Sequence, residues 1–202
     1  MQRETSPFYP SRDADAGLEE DRRAFLERAV VSLGLPALFY GSLRDPKVFE
    51  AVVGRPFEAC DWQRVAIRGF RLGIANAGTG CPGLFPGTPG EAELDCLIVH
   101  DLNRFEQTLV AWYEWDEYVL RPIPLADGRR AQAFVPDLDA IRREYGEFKI
   151  EPWSFDTWHA NGVDRALATA RQWMAQRPDS AALARSGFFG LEECQAGTGA
   201  AG

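Results

Sequence analysis

The chain has 202 residues, 46% of them hydrophobic and 12% aromatic, which suits one domain with a sizeable core and some appendages. Its net charge of −8, with no long basic stretch, argues against non-specific nucleic-acid binding, and no apolar run approaches the ~18 residues of a membrane-spanning helix. Met1 to Ala16 is polar and lacks the apolar stretch of a secretory signal, so the expectation is a cytoplasmic protein with reduced thiols at Cys60, Cys81, Cys96 and Cys194, whose scatter shows no metal or redox spacing.

Residues 1–16 read as a loosely attached leader. Leu18, Phe25, Leu26, Ala29, Val30 and Leu33 then fall on one helical stripe that Gly34 and Pro36 end, giving an appended N-terminal helix within 1–35. Leu38, Phe39 and Tyr40 form a short apolar run of strand formers. Gly41 lets the chain turn sharply and approach a ligand. Asp45 is placed to cap the next helix, with Pro46 at its first position. Val48, Phe49, Val52 and Val53 share one face of that helix, which stops at Gly54 with Pro56 beyond.

Between Phe57 and Asn76, Val65/Ile67 and Phe70/Leu72/Ile74 alternate in two registers broken near Gly69. They form two strands, or one strongly bent strand with a bulge. Residues 77–90 are dense in Gly and Pro and read as a loop around a short extended piece. Residues 92–99 look like a core strand. Asp101 is then expected to cap a helix with an apolar stripe of Leu102, Phe105, Leu109 and Trp112, and Glu114 sits just past that stripe.

Tyr118–Leu125 and Arg130–Val135 read as a hairpin around Asp127-Gly128. Pro122 and Pro124 leave one side of the first strand without N–H groups, so it is an edge strand or a barrel lip. Residues 137–153 are mixed. Phe155 to Met174 is helical, with Val163, Ala166, Leu167, Ala170 and Trp173 as its apolar face, and 195–202 is a flexible tail. The pattern predicts an α+β fold, a small mixed barrel-like sheet with flanking helices. The core domain spans 36–136, and 137–194 form a C-terminal helical extension packed on it.

No HExxH, paired CxxC, GxSxG or P-loop is present. His100 reads as a solvated strand end and His159 as a helix-face residue. Two features carry possible chemistry. The loop Tyr40-Gly41-Ser42-Leu43 precedes a helix, where free N–H groups attract carboxylates or polarised carbonyls; a strand–turn–helix corner without a ligand accounts for the same residues. Glu114 lies among aromatics in Trp112-Tyr113-Glu114-Trp115, where lost hydration raises a carboxyl pKa toward that of a proton shuttle. An aromatic cluster with Glu114 turned to water fits the same residues.

Four pieces occur in one order: Phe39-Tyr40-Gly41-Ser42-Leu43-Arg44-Asp45-Pro46; Cys81-Pro82-Gly83-Leu84; the strand around Leu97; and Tyr113-Glu114 followed by Asp116-Glu117-Tyr118-Val119-Leu120-Arg121-Pro122. Over about 36–136 this resembles the gamma-glutamylcyclotransferase-like family, specifically its plant avirulence-induced-gene-like branch. The resemblance implies a compact β-barrel with flanking helices. It also implies release of 5-oxoproline from a small gamma-glutamyl amine or peptide, without metal or cofactor. It assigns Tyr40, Gly41, Ser42 and Leu43 to a substrate-holding loop, Glu114 to the acid/base, and Tyr118 to a recurrent tyrosine after that glutamate. The chain departs from the family with Leu43 where other branches carry Asn, Cys81 where an aromatic is common, Trp115 where Gly is common, and Asp95 for a mid-strand Gly. These departures bear on the substrate. Two other readings stay open: a ligand-binding module on the same fold, and a thiol-dependent acyl transferase or amidase built on Cys81.

Overall fold

Alternation along three strands explains how the molecule is layered. In the computed structural model, which describes residues 23–26, 30–75, 81–88, 90–114 and 118–179, the elements run β1 (Ala37–Phe39), α1 (Pro46–Val53), β2 (Trp62–Ile67), β3 (Phe70–Ala75), β4 (Pro82–Pro86), β5 (Leu94–Val99), α2 (Arg104–Glu114), β6 (Tyr118–Pro124), β7 (Arg130–Pro136), α3 (Leu138–Tyr145), β8 (Ile150–Pro152) and α4 (Phe155–Ala175). β1, β5 and β7 are central strands of a five-stranded sheet ordered β2-β5-β1-β7-β6. Side chains on a strand alternate between faces. Phe39, Leu97, Val99 and Phe134 point to a helix-side core with Val48, Phe49, Leu109, Trp112 and Trp173. Leu38, Tyr40, Cys96, Ile98, Ala131 and Ala133 point to the opposite core with Ile67 and Leu84. The second core is closed by a three-stranded sheet ordered β4-β3-β8. The architecture is thus α+β: helices, a mixed sheet, and a second sheet.

The large sheet is mixed at one place. β1 pairs antiparallel with β5 but parallel with β7, through Ala37↔Gln132, and past that pair the two strands part. The sheet has two edges, β2 and β6, and does not close into a barrel. β6 pairs with β7 alone, which agrees with the blank N–H positions of Pro122 and Pro124.

Local chemistry sets the element ends. Asp45 Oδ1 accepts from Lys47 N–H and Val48 N–H at 2.9 and 3.1 Å, and Gly54 closes α1 in the left-handed region at φ 81°. Val48 and Phe49 are wholly buried, worth roughly 1.5–3 kcal/mol each. β2 and β3 are two strands, joined through Gly69 at φ 77°. β4 is the extended piece in the Gly/Pro segment. The hairpin turns at Gly128, φ 87°, where Asp127 Oδ1 accepts from Arg129 N–H.

Two expectations need correction. Asp101 does not cap α2. Asn103 does, with Oδ1 accepting from Glu106 N–H while Glu106 Oε2 accepts from Asn103 N–H, a reciprocal capping box. Asp101 instead binds Arg55 and the Asp61 N–H. Burial pulls its carboxyl pKa up, but these bonds and the Arg55 charge hold it below the ordinary range. The N-terminal helix also does not continue to Leu33. Residues 23–26 are helical and Phe25 packs edge-on against Trp112, but 30–33 are irregular, with Leu33 N–H donating to Gln132 Oε1 at 2.6 Å in place of a helical carbonyl. The rest of that predicted helix, the leader, Trp115, Cys194 and the tail lie outside the described residues. Residues 137–153, unassigned from sequence, hold α3 and β8.

Candidate functional site

Where β1 and β7 part, a cavity of about 60 Å³ opens between them and α2. Tyr40, Gly41, Ser42, Leu43, Glu114 and Tyr118 all line it, as does Cys81.

The loop that follows β1 is a tight turn. Ser42–Arg44 form one 3-10 turn, closed by Arg44 N–H to Gly41 O and Asp45 N–H to Ser42 O. Those bonds start at Arg44, so the N–H groups of Gly41, Ser42 and Leu43 meet no protein acceptor among the described residues. A Cβ on Gly41 would meet Pro82 Cγ at 3.6 Å, an ordinary contact, and its φ of −111° is open to any residue, so neither strain nor a clash requires glycine at this turn. Leu43 is 2% exposed and its side chain joins the helix-side core. That side chain is therefore spent on packing.

Glu114 ends α2. The residue is partly exposed, because its carboxyl faces the cavity, and no hydrogen-bond or ion-pair partner for it is present among the described residues. Burial alone pushes its pKa up to about 8. Among the described residues no Lys, Arg or His lines the cavity, so none of their charges opposes that shift. The carboxyl can therefore exchange a proton near neutral pH.

The tyrosines frame this acid. Tyr40 Oη donates to Phe134 O at 2.6 Å, tying β1 to β7 where the ladder between them has ended. Its phenol pKa is raised well above the ordinary value, first by burial and then by the Glu114 charge. Tyr118 Oη lies 3.2 Å from both Cys81 O and Pro82 O, and so pins the β4 entrance. Both hydroxyls thus spend their one hydrogen on backbone carbonyls. Tyr113 Oη is 3.1 Å from Ser42 Oγ, joining the acid's helix to the loop.

Sequence reasoning missed Tyr113 as a contact and missed Gln107 and Gln132 as lining residues. A signal for Gln107 was there: it stands seven residues before Glu114, on the same helical face. Neither histidine lines the cavity. His100 is exposed, and His159 Nε2 sits 3.1 Å from Asp45 Oδ2 on the outer side of α1. Among the described residues no cluster that could hold a metal ion is present, and no helix is long and apolar enough to cross a membrane.

No family model matches the chain, and no curated protein matches it. Among solved structures it is similar to a protein of Arabidopsis thaliana solved in solution, 17% identical over 68% of this chain and 80% of that one, TM-score 0.45. A second Arabidopsis thaliana solution structure is 21% identical over 73% of this chain and 96% of that one, TM-score 0.40. A structure described as a gamma-glutamyl cyclotransferase is 11% identical over 82% of this chain and 86% of that one, TM-score 0.39. Likenesses at this level carry no argument about activity. The fold stands on the strand order and registers given above.

Proposed function

We propose that the chain is a gamma-glutamylcyclotransferase-type enzyme that cyclises a gamma-glutamyl amine or peptide and releases 5-oxoproline. The observation that carries this reading is the Glu114 carboxyl, unopposed by any cation among the described residues, in a cavity it shares with the 40–43 loop. The substrate brings its own nucleophile. Holding it folded lets its α-amine reach the γ-carbonyl carbon in an intramolecular attack, which removes much of the entropic barrier. The ionised Glu114 takes a proton from the amine as the new C–N bond closes the ring. It then returns that proton to the departing nitrogen as the old C–N bond breaks. One carboxylate suffices because the transfers are sequential. The N–H groups of Gly41 to Leu43 hold the substrate carboxylate or the developing oxyanion.

The thiol reading lacks a histidine base, since neither histidine lines the cavity with Cys81. The binding-module reading draws on the same pKa of about 8, because much of Glu114 is protonated at pH 7. One experiment separates them: incubation with a panel of gamma-glutamyl compounds, with 5-oxoproline read by mass spectrometry. An active compound should turn over faster as pH rises through about 8, and Glu114→Gln should lower turnover by about 10²- to 10⁴-fold with little change in affinity. Binding without turnover would favour the module. Loss of activity in Cys81→Ser with Glu114→Gln still active would favour the thiol.

A further inference from the structure

The cavity has a second polar end. On α2, Gln107, Val110 and Glu114 form one stripe along it, and seven residues of helix place its ends about 10 Å apart. On the sheet, Gln132 shares a face of β7 with Phe134, and Ala37 shares a face of β1 with Phe39. All line the cavity, and the Ala37↔Gln132 pair marks its inner end, opposite the 40–43 loop. The cavity is therefore a slot, with Glu114 at one end and two glutamines at the other.

The orientation of both amides follows from their neighbours. Leu33 N–H donates at 2.6 Å, so the near atom of Gln132 must be its carbonyl oxygen. Its NH₂ group then faces Gln107 Oε1, at a long 3.4 Å. Gln107 in turn spends one N–H on Leu102 O at 2.7 Å. Each amide nitrogen carries two hydrogens, so one N–H on each is left over, with no acceptor among the described residues. Gln132 is 3% exposed, and a buried donor left unmet is costly.

We propose that the Gln107–Gln132 amide pair is a ligand subsite at the inner end of the slot, donating its spare N–H groups to a carbonyl oxygen of a ligand whose other end meets Glu114. The acceptor is neutral. Among the described residues no Lys, Arg or His lines the slot, so a carboxylate there would lose its hydration without gaining a countercharge from them. A slot about 10 Å long takes roughly three residues' length of extended chain. The ligand class is thus an elongated amide-terminated compound, with a gamma-glutamyl head on the reading above, on which this subsite rests.

Three probes test it: gamma-glutamylglycinamide, gamma-glutamylglycine and gamma-glutamyl methylamide, titrated against the full chain with tryptophan fluorescence as readout, since Trp173 also lines the slot. The glycinamide should bind about tenfold tighter than either other probe. Gln107→Met, at a half-exposed position, should erase that preference while leaving methylamide affinity unchanged. Gln107→Leu, which also keeps an apolar side chain of similar size without the donor, should do the same. Equal affinity for all three probes, unchanged by either variant, would overturn the subsite and leave the cyclotransferase reading intact. Binding of none of the three would overturn both.

Discussion

Glu114 controls more than the proposed reaction. Its carboxyl titrates near the ordinary 4.5 in the unfolded chain and at about 8 in the folded one. Between those values the folded chain holds a proton that the unfolded chain has released, so stability falls as pH rises from about 4.5 to about 8. Glu114→Gln keeps the shape and cannot ionise. The variant should melt above the wild type at pH 8, by an amount on the order of a few kcal/mol in stability, and the gap should close toward pH 5. Thermal melts of both proteins at the two pH values check this; equal gaps at pH 5 and pH 8 would mean that the carboxyl is not held protonated. The cysteines divide by the same logic of burial. Cys60, Cys81 and Cys96 carry free thiols, and burial pushes the Cys96 thiol up to about 12 and raises that of Cys60. Cys81 is half-buried at the cavity. A thiol reagent should therefore count four groups on the denatured, unreduced chain and, on the native chain, label Cys81 before Cys60 and Cys96. Peptide mapping of labelled protein reads the order, and a count of two would show a disulfide.

At the scale of elements, close approach between strands decides what holds. Gly73 on β3 faces β8, where a Cβ would come to 2.5 Å from Ile150 Cγ2 and 2.9 Å from Glu151 O. The second contact is backbone, so it cannot be relieved by turning a side chain. Gly73→Ala should push β8 off β3 and destabilise the protein by about 1–3 kcal/mol, seen in denaturant melts and in faster amide exchange at Ile74, whose N–H faces β8. Full protection there would mean that β8 is not held by this contact. Tyr40→Phe tests another junction. It strips the hydroxyl from Phe134 O and should cost about 1–3 kcal/mol through the orphaned carbonyl, with no loss if that oxygen were already solvated. Elements bounded by chemistry of their own were legible from sequence. Asp45, Pro46 and Gly54 bracket α1, and the register break at Gly69 follows from a left-handed backbone that favours glycine. The cap of α2 was misplaced although a signal was there: Asn103 has Glu106 three residues on, the capping-box spacing, whereas Asp101 has Arg104 there. β8 was illegible because three residues carry no usable period and its pairing is entirely long-range.

Across the whole molecule, the two faces of the large sheet explain why the candidate site was partly readable. The loop and Glu114 stand out as local oddities, a Gly-Ser turn before a helix and an acid among aromatics. Gln132 does not, because a glutamine between Ala131 and Ala133 suggests a solvent-facing position, and the chain's other layers are what bury it. The same layering makes distant segments depend on each other. α4 delivers Ala166, Ala170, Trp173 and Met174 to the helix-side core, and Trp112 Nε1 donates to Trp173 O at 3.2 Å across the α2–α4 contact. β8 covers one edge of the small sheet, and Trp173 also walls the cavity. A chain ending at residue 136 would lose those four core side chains and expose the faces of α1 and α2 that they cover. Losing a single buried large side chain typically costs about 2–5 kcal/mol, and a whole domain has only about 5–15 kcal/mol of stability. We therefore expect residues 1–136 alone to show no cooperative thermal transition and no dispersed amide spectrum, whereas a chain ending at 179, after α4, should melt cooperatively. A sharp melt of the 1–136 fragment near the temperature of the full chain would mean that the helix-side core closes without α4, and would make 137–179 an accessory layer in place of a wall of the fold.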